Sequence, residues 1–96
     1  MPVKSPQTLA HSLQDLLKNL GITKTIQNYD VITRWPEFVG ERVAEVSQAV
    51  KVERQVLYVK VQTSVWRNEL AFMKGKIIAK IDREIGSGVI KDIRFI

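Results

Sequence analysis

The sequence predicts an α+β fold: a three-stranded sheet, made of a hairpin and one later strand, with helices packed on one face and an additional N-terminal helix. Two changes of hydrophobic period carry that prediction. Apolar residues recur at helical spacing up to Val46, alternate between Val50 and Val61, and return to helical spacing from Ser64 to Ile85. A glycine pair then precedes one last apolar segment. The whole of residues 1–96 is expected to form a single domain. A domain of this size buries about 60–65% of the surface of its unfolded chain, so the core is adequate but thin.

The first element is expected over residues 6–20. Ser5 supplies a capping hydroxyl and Pro6 fits the first helical turn. Leu9, Leu13, Leu16, Leu17 and Leu20 share one face, and Gly21 is the C-cap candidate. Signals are weak from Thr23 to Asp30. Val31, Ile32, Trp35, Phe38, Val39, Val43 and Val46 then share a helical face. Pro36 lies inside that run, so either the helix kinks there or a new helix begins with Pro36 in its first turn.

Val50 and Val52 alternate with Lys51 and Glu53, and Leu57, Val59 and Val61 alternate with Tyr58, Lys60 and Gln62. Arg54-Gln55 between them makes an antiparallel hairpin with one buried face, its turn type left open by the lack of Asn-Gly. Ser64 is the expected cap of the next helix, whose face is Trp66, Leu70 and Met73. Ile77, Ile78, Ile81 and Ile85 form a second stripe, out of phase with the first. On one straight helix Lys74 and Glu84 would point into apolar territory. Two helices joined at Lys74-Gly75-Lys76 are therefore expected. Gly86-Ser87-Gly88 closes the second, and Val89 to Ile96 is the final strand.

Composition narrows the chemistry. The apolar fraction is 45% and the charged fraction 26%, which is ordinary for a folded domain. No cysteine is present and His11 is the only histidine, so disulfides, thiolate zinc sites, haem and Cys–His catalysis are excluded. The paired acids Glu41/Glu45 and Asp82/Glu84 read as solvated faces, and no glycine-rich phosphate loop is present. No apolar run approaches the length of a membrane span, and Met1 to Pro6 lacks the pattern of a secretion signal, so a cytoplasmic location is expected. No enzyme activity and no cofactor are expected.

The net charge of +5 favours an anionic partner. Lys76, Lys80 and Arg83 step by four and three, which aligns them on one helical ridge, with Lys74 beside them. Lys51, Tyr58 and Lys60 share the hairpin face away from the core, joined by Arg94 from the last strand. Positive charge with an interleaved aromatic fits phosphate contact plus base stacking, whereas Trp35 and Trp66 read as core.

Trp35-Pro36-Glu37-Phe38-Val39-Gly40-Glu41-Arg42-Val43-Ala44, the hairpin ending Leu57-Tyr58-Val59-Lys60-Val61, the segment Ser64-Val65-Trp66-Arg67-Asn68-Glu69-Leu70 and the ending Ile93-Arg94-Phe95 together resemble the DciA-like family. That family comprises small bacterial proteins linked to recruitment of the replicative DnaB-type helicase. The resemblance implies a KH-like core from about residue 30 to 96, with order helix–strand–strand–helix–helix–strand. In nucleic-acid-binding KH domains a GXXG loop clamps the backbone. The corresponding joint here, around Gly75, has one glycine in place of two.

The expected function is a replication-associated adaptor that binds nucleic acid, DNA ahead of RNA, and a replicative helicase, with no membrane partner. The expected nucleic-acid contacts are Lys74, Gly75, Lys76, Lys80 and Arg83, with Lys51, Tyr58, Lys60 and Arg94 on the sheet. An RNA-binding KH-like module and a pure protein-interaction domain are the alternatives.

Overall fold

The computed structural model describes residues 22–96. The helix expected over residues 6–20, with its leucine stripe and His11, lies outside the described residues.

Helix α1 spans Ile22–Thr33, α2 spans Trp35–Val39 and α3 spans Glu41–Ala44. Of the two readings at Pro36, a fresh helix is the one adopted: Arg34 leaves helical geometry at φ −96°, ψ 11°, and Pro36 enters α2 in its first turn, where its missing N–H costs nothing. Gly40, at φ 87° and ψ 162°, separates α2 from α3, a conformation closed to most side chains. Much of α1 fell where the sequence signal was weak. Its Ile26 and Tyr29 are 53% and 67% exposed, and Val31 is fully buried, so little of the helix carries a core pattern.

Strand β1 spans Ser47–Glu53 and β2 spans Val56–Val61. They pair antiparallel, with a shift of register between Ala49 and Lys51. That bulge turns Val50 outward, 47% exposed, against the alternation that places Val50 with Val52 on the buried face, and Ala49 takes the inward position instead. The extra residue is visible only once the partner strand sets the register. Arg54 and Gln55 both have positive φ, 53° and 67°, so the turn adopts the primed geometry that suits a hairpin's twist without Asn or Gly. The Gln55 side chain donates to the Gly88 carbonyl at 2.8 Å, tying the turn to the C-terminal segment.

Helix α4 runs unbroken from Ser64 to Glu84, capped by the Thr63 hydroxyl, which accepts from the Trp66 N–H, and not by Ser64. The expected joint at Lys74-Gly75-Lys76 is absent. Leu70, Ile77 and Ile81 are buried in one line across Gly75, and an apolar stripe about 140° wide also accommodates the half-buried Trp66, Met73, Ile78 and Ile85. The two charges that argued against a straight helix leave the apolar zone through ion pairs. Lys74 reaches Asp92 at 3.0 Å, and Glu84 accepts from Arg34 at 2.9 Å.

The chain then returns to β3, Asp92–Phe95, which pairs parallel to β2 and completes a sheet of order β1-β2-β3. A parallel partner requires a crossover connection, and α4 supplies it. The strand is shorter than the expected Val89 to Ile96, because Ile90 is spent as a core anchor, 1% exposed, before pairing begins. The observed order from α3 onward is helix–strand–strand–helix–strand. Leu57, Val59 and Val61 face α4 and the N-terminal helices, so the sheet buries one face as predicted. Each such aliphatic side chain contributes about 1.5–3 kcal/mol on burial. Trp35 is core, as its spacing implied. It is 2% exposed, and its indole N–H donates to Ser47 Oγ at 3.0 Å, whose hydroxyl donates in turn to the Val43 carbonyl at 2.6 Å.

Candidate nucleic-acid interface

Strand alternation sends Leu57, Val59 and Val61 inward, so Tyr58 and Lys60 point to the opposite face. Register then decides what surrounds Tyr58. It pairs with Lys51 on one side and with Arg94 on the other, so three chemically matched residues form a row across all three strands. Adjacent strands lie about 4.8 Å apart, so the row is about 10 Å from end to end. The Lys51 ammonium sits 4.8 Å from the Tyr58 ring centroid, within cation–π range. Lys51 also pairs with Glu53 at 3.0 Å, which offsets part of its charge. Lys60 follows Tyr58 on the same face, in register with Gln48. Lys60 and Arg94 are exposed, and among the described residues neither has an ion-pair partner.

Beside Lys60 lies a groove of about 520 Å³ lined by Glu45, Val46, Ser47, Gln48, Lys60 and Gln62. Its side-chain amides and ammonium provide donors and acceptors next to the cationic row. Gln48 and Gln62 were not singled out from the sequence, because polar strand residues carry no signal until the register sets them around a common hollow.

The second predicted set is divided by the continuity of α4. Lys76, Lys80 and Arg83 do fall on one side of the helix, and among the described residues none of them forms an ion pair. Lys74 stands apart from them, bound to Asp92. That contact, with help from the Ile93 backbone N–H, holds the Asp92 carboxyl below its ordinary range. Gly75 sits in mid-helix, beyond the first four residues whose N–H groups are free, so it offers a phosphate no loop amides. The helix face bearing Lys76 and Arg83 also carries Phe72, 88% exposed, and Val65, 69% exposed. Residue type alone marks neither as a surface feature. The available signal was their position opposite Leu70, Ile77 and Ile81. The two predicted basic sets thus occupy different surfaces, one on the open face of the sheet and one on α4, which packs against the other face.

Among the described residues, no group of His, Asp or Glu is arranged to hold a metal ion, and no helix is long and apolar enough to cross a membrane.

Fold and surface together define a small α+β module with a mixed three-stranded sheet and a cationic, aromatic open face. The family model described as the DnaC/DnaI antecedent, DciA, matches residues 8–95, and the chain belongs to the DciA family. Relatives include the UPF0232 protein of Mycolicibacterium smegmatis, 28% identical over 93 residues, which cover 97% of this chain and 48% of that protein. UPF0232 proteins of Mycobacterium leprae and Rhodococcus jostii are each 28% identical, over 92 and 91 residues, covering 96% and 95% of this chain and 49% and 48% of theirs. The chain spans about half the length of these curated relatives.

Proposed function

We propose that this chain is a non-enzymatic adaptor of DNA replication, which holds single-stranded nucleic acid loosely on the open face of its sheet and engages the replicative helicase. Membership of the DciA family supports the helicase half of this reading. The nucleic-acid half rests on one observation: Tyr58 lies in register between Lys51 and Arg94, with Lys60 next along the strand.

That row joins two modes of contact. The cations meet phosphates, and the ring offers a base a stacking surface, an interaction of about 1–3 kcal/mol per base. Nothing in the row forms a pattern of donors and acceptors matched to particular base edges, so contact is general rather than sequence-reading. Lys80 and Arg83 on α4 add to the positive field that attracts a polyanion.

Anisotropy titrations with labelled single-stranded DNA, duplex DNA and single-stranded RNA test this reading. Single-stranded DNA binds best, Tyr58→Ala and Arg94→Glu each weaken it, and Lys76→Glu with Arg83→Glu weakens it less. A preference for RNA transfers the same face to an RNA-binding role. Binding that ignores the sheet variants and follows the α4 variants moves the site to the helix.

A further inference from the structure

The face of α4 turned away from the core has a pattern of its own. Val65, Asn68, Phe72, Gly75 and Ala79 follow one another at spacings of three, four, three and four, the alternation of a helix-pairing seam, and all five are exposed. The inward face uses Leu70, Ile77 and Ile81, so the exposed stripe lies opposite the buried one on the same helix. Along one flank of the outer seam lie Glu69 and Lys76, both exposed and, among the described residues, without ion-pair partners.

Two features of this seam have no use among the described residues of the single chain. Phe72 leaves 88% of its surface in water. Gly75 occupies mid-helix, where glycine costs about 1 kcal/mol relative to alanine, although a Cβ there would meet nothing within 4 Å. One residue protrudes and the other, a turn away on the same stripe, leaves a hollow.

We propose that this face is a self-complementary interface on which a second copy of the chain docks, the two α4 helices running antiparallel about a two-fold axis. A two-fold contact requires that if residue i meets residue j, then j meets i. With the axis passing between Phe72 and Gly75, each Phe72 ring covers the partner helix at its Gly75, twice over. The same operation sets Glu69 of each copy within about one turn of Lys76 of the other, giving two symmetric pairs of opposite charge. The sign pattern selects the occupant. A parallel second copy would carry its Glu69 and Lys76 to the opposite side of the seam, where neither meets its match, whereas the antiparallel copy keeps both on one side and pairs them. The contact is small, and dimer formation therefore depends on concentration. The open sheet face lies away from this seam and stays accessible to a polyanion.

Light scattering coupled to gel filtration, or sedimentation equilibrium, tests this on the 96-residue chain without nucleic acid, across a series reaching high-micromolar concentration. The mass should rise from the 11.0 kDa of one chain toward twice that value. Glu69→Lys and Lys76→Glu should each weaken association by more than about tenfold through like-charge contacts, and the double exchange should restore it. Phe72→Asp should hold the chain monomeric. Circular dichroism of each variant, compared with the parent, separates lost association from lost folding. A chain that stays monomeric throughout overturns the proposal and leaves the face to a helix of another protein. Dimers equally stable in both single exchanges and the double exchange also overturn it, by placing the contact elsewhere. Neither result bears on the sheet-face reading, which the titrations with nucleic acid decide separately.

Discussion

Lys74 of α4 and Asp92 of β3 are joined, Nζ to Oδ1, at 3.0 Å. The pair ties the crossover helix to the strand it introduces, and it removes Lys74 from the cations free to meet a polyanion. It also carries a pH signature. The folded-state pKa of Asp92 is depressed, first by its hydrogen bond from Lys74. Its stabilising contribution is therefore present above the ordinary aspartate value and is lost as pH falls through the folded value. Asp92→Asn should lower stability near neutral pH by no more than about 1 kcal/mol, since both groups are substantially exposed and screened by salt. The difference from the parent should shrink in acid. Urea melts at several pH values read it directly.

Gly75→Ala addresses the unbroken helix. The backbone there is helical and the space around a new methyl group is open. The substitution should stabilise the single chain by about 1 kcal/mol, measured by denaturant melts at low concentration. A helical joint at this position would instead show destabilisation.

The buried indole contact gives a third expectation. Ser47 Oγ accepts from Trp35 and donates to the Val43 carbonyl, so it links α2, α3 and β1. Ser47→Ala leaves the indole N–H without that partner and should cost about 1–3 kcal/mol. A thermal or urea melt monitored by tryptophan fluorescence detects the loss.

The hairpin turn gives a fourth. Arg54 adopts φ 53° with a full side chain, where asparagine is tolerated better. Arg54→Asn should raise stability by about 0.5–1 kcal/mol in the same melts.

Much of this architecture is legible in the sequence, and the misreadings have specific causes. The alternation of Leu57, Val59 and Val61 announces β2 because one buried face imposes a period of two. The bulge at Val50 is hidden, since it exists only relative to the partner strand. The helix break expected at Gly75 rests on two apolar stripes taken as out of phase, and on Lys74 and Glu84 taken as charges with nowhere to go. Their partners, Asp92 and Arg34, are distant in sequence and only folding brings them near. The sheet row of the candidate site was half visible: Lys51, Tyr58 and Lys60 follow from alternation, whereas placing Arg94 directly beside Tyr58 needs the parallel register. The basic ridge on α4 is legible as a helical spacing, whereas Phe72 beside it is legible only from its position opposite Leu70, Ile77 and Ile81, since an exposed aromatic and a buried one look alike by residue type.

The central claim, that the open sheet face holds single strands through its cations and Tyr58, is tested most directly by the salt dependence of single-stranded DNA binding. Three phosphate contacts, from Lys51, Lys60 and Arg94, predict a slope of about −2 in log affinity against log salt. Changing Lys60 and Arg94 to glutamine should flatten it by more than half, and Tyr58→Ala should weaken binding with the slope unchanged. A slope that these substitutions leave untouched would contradict the account.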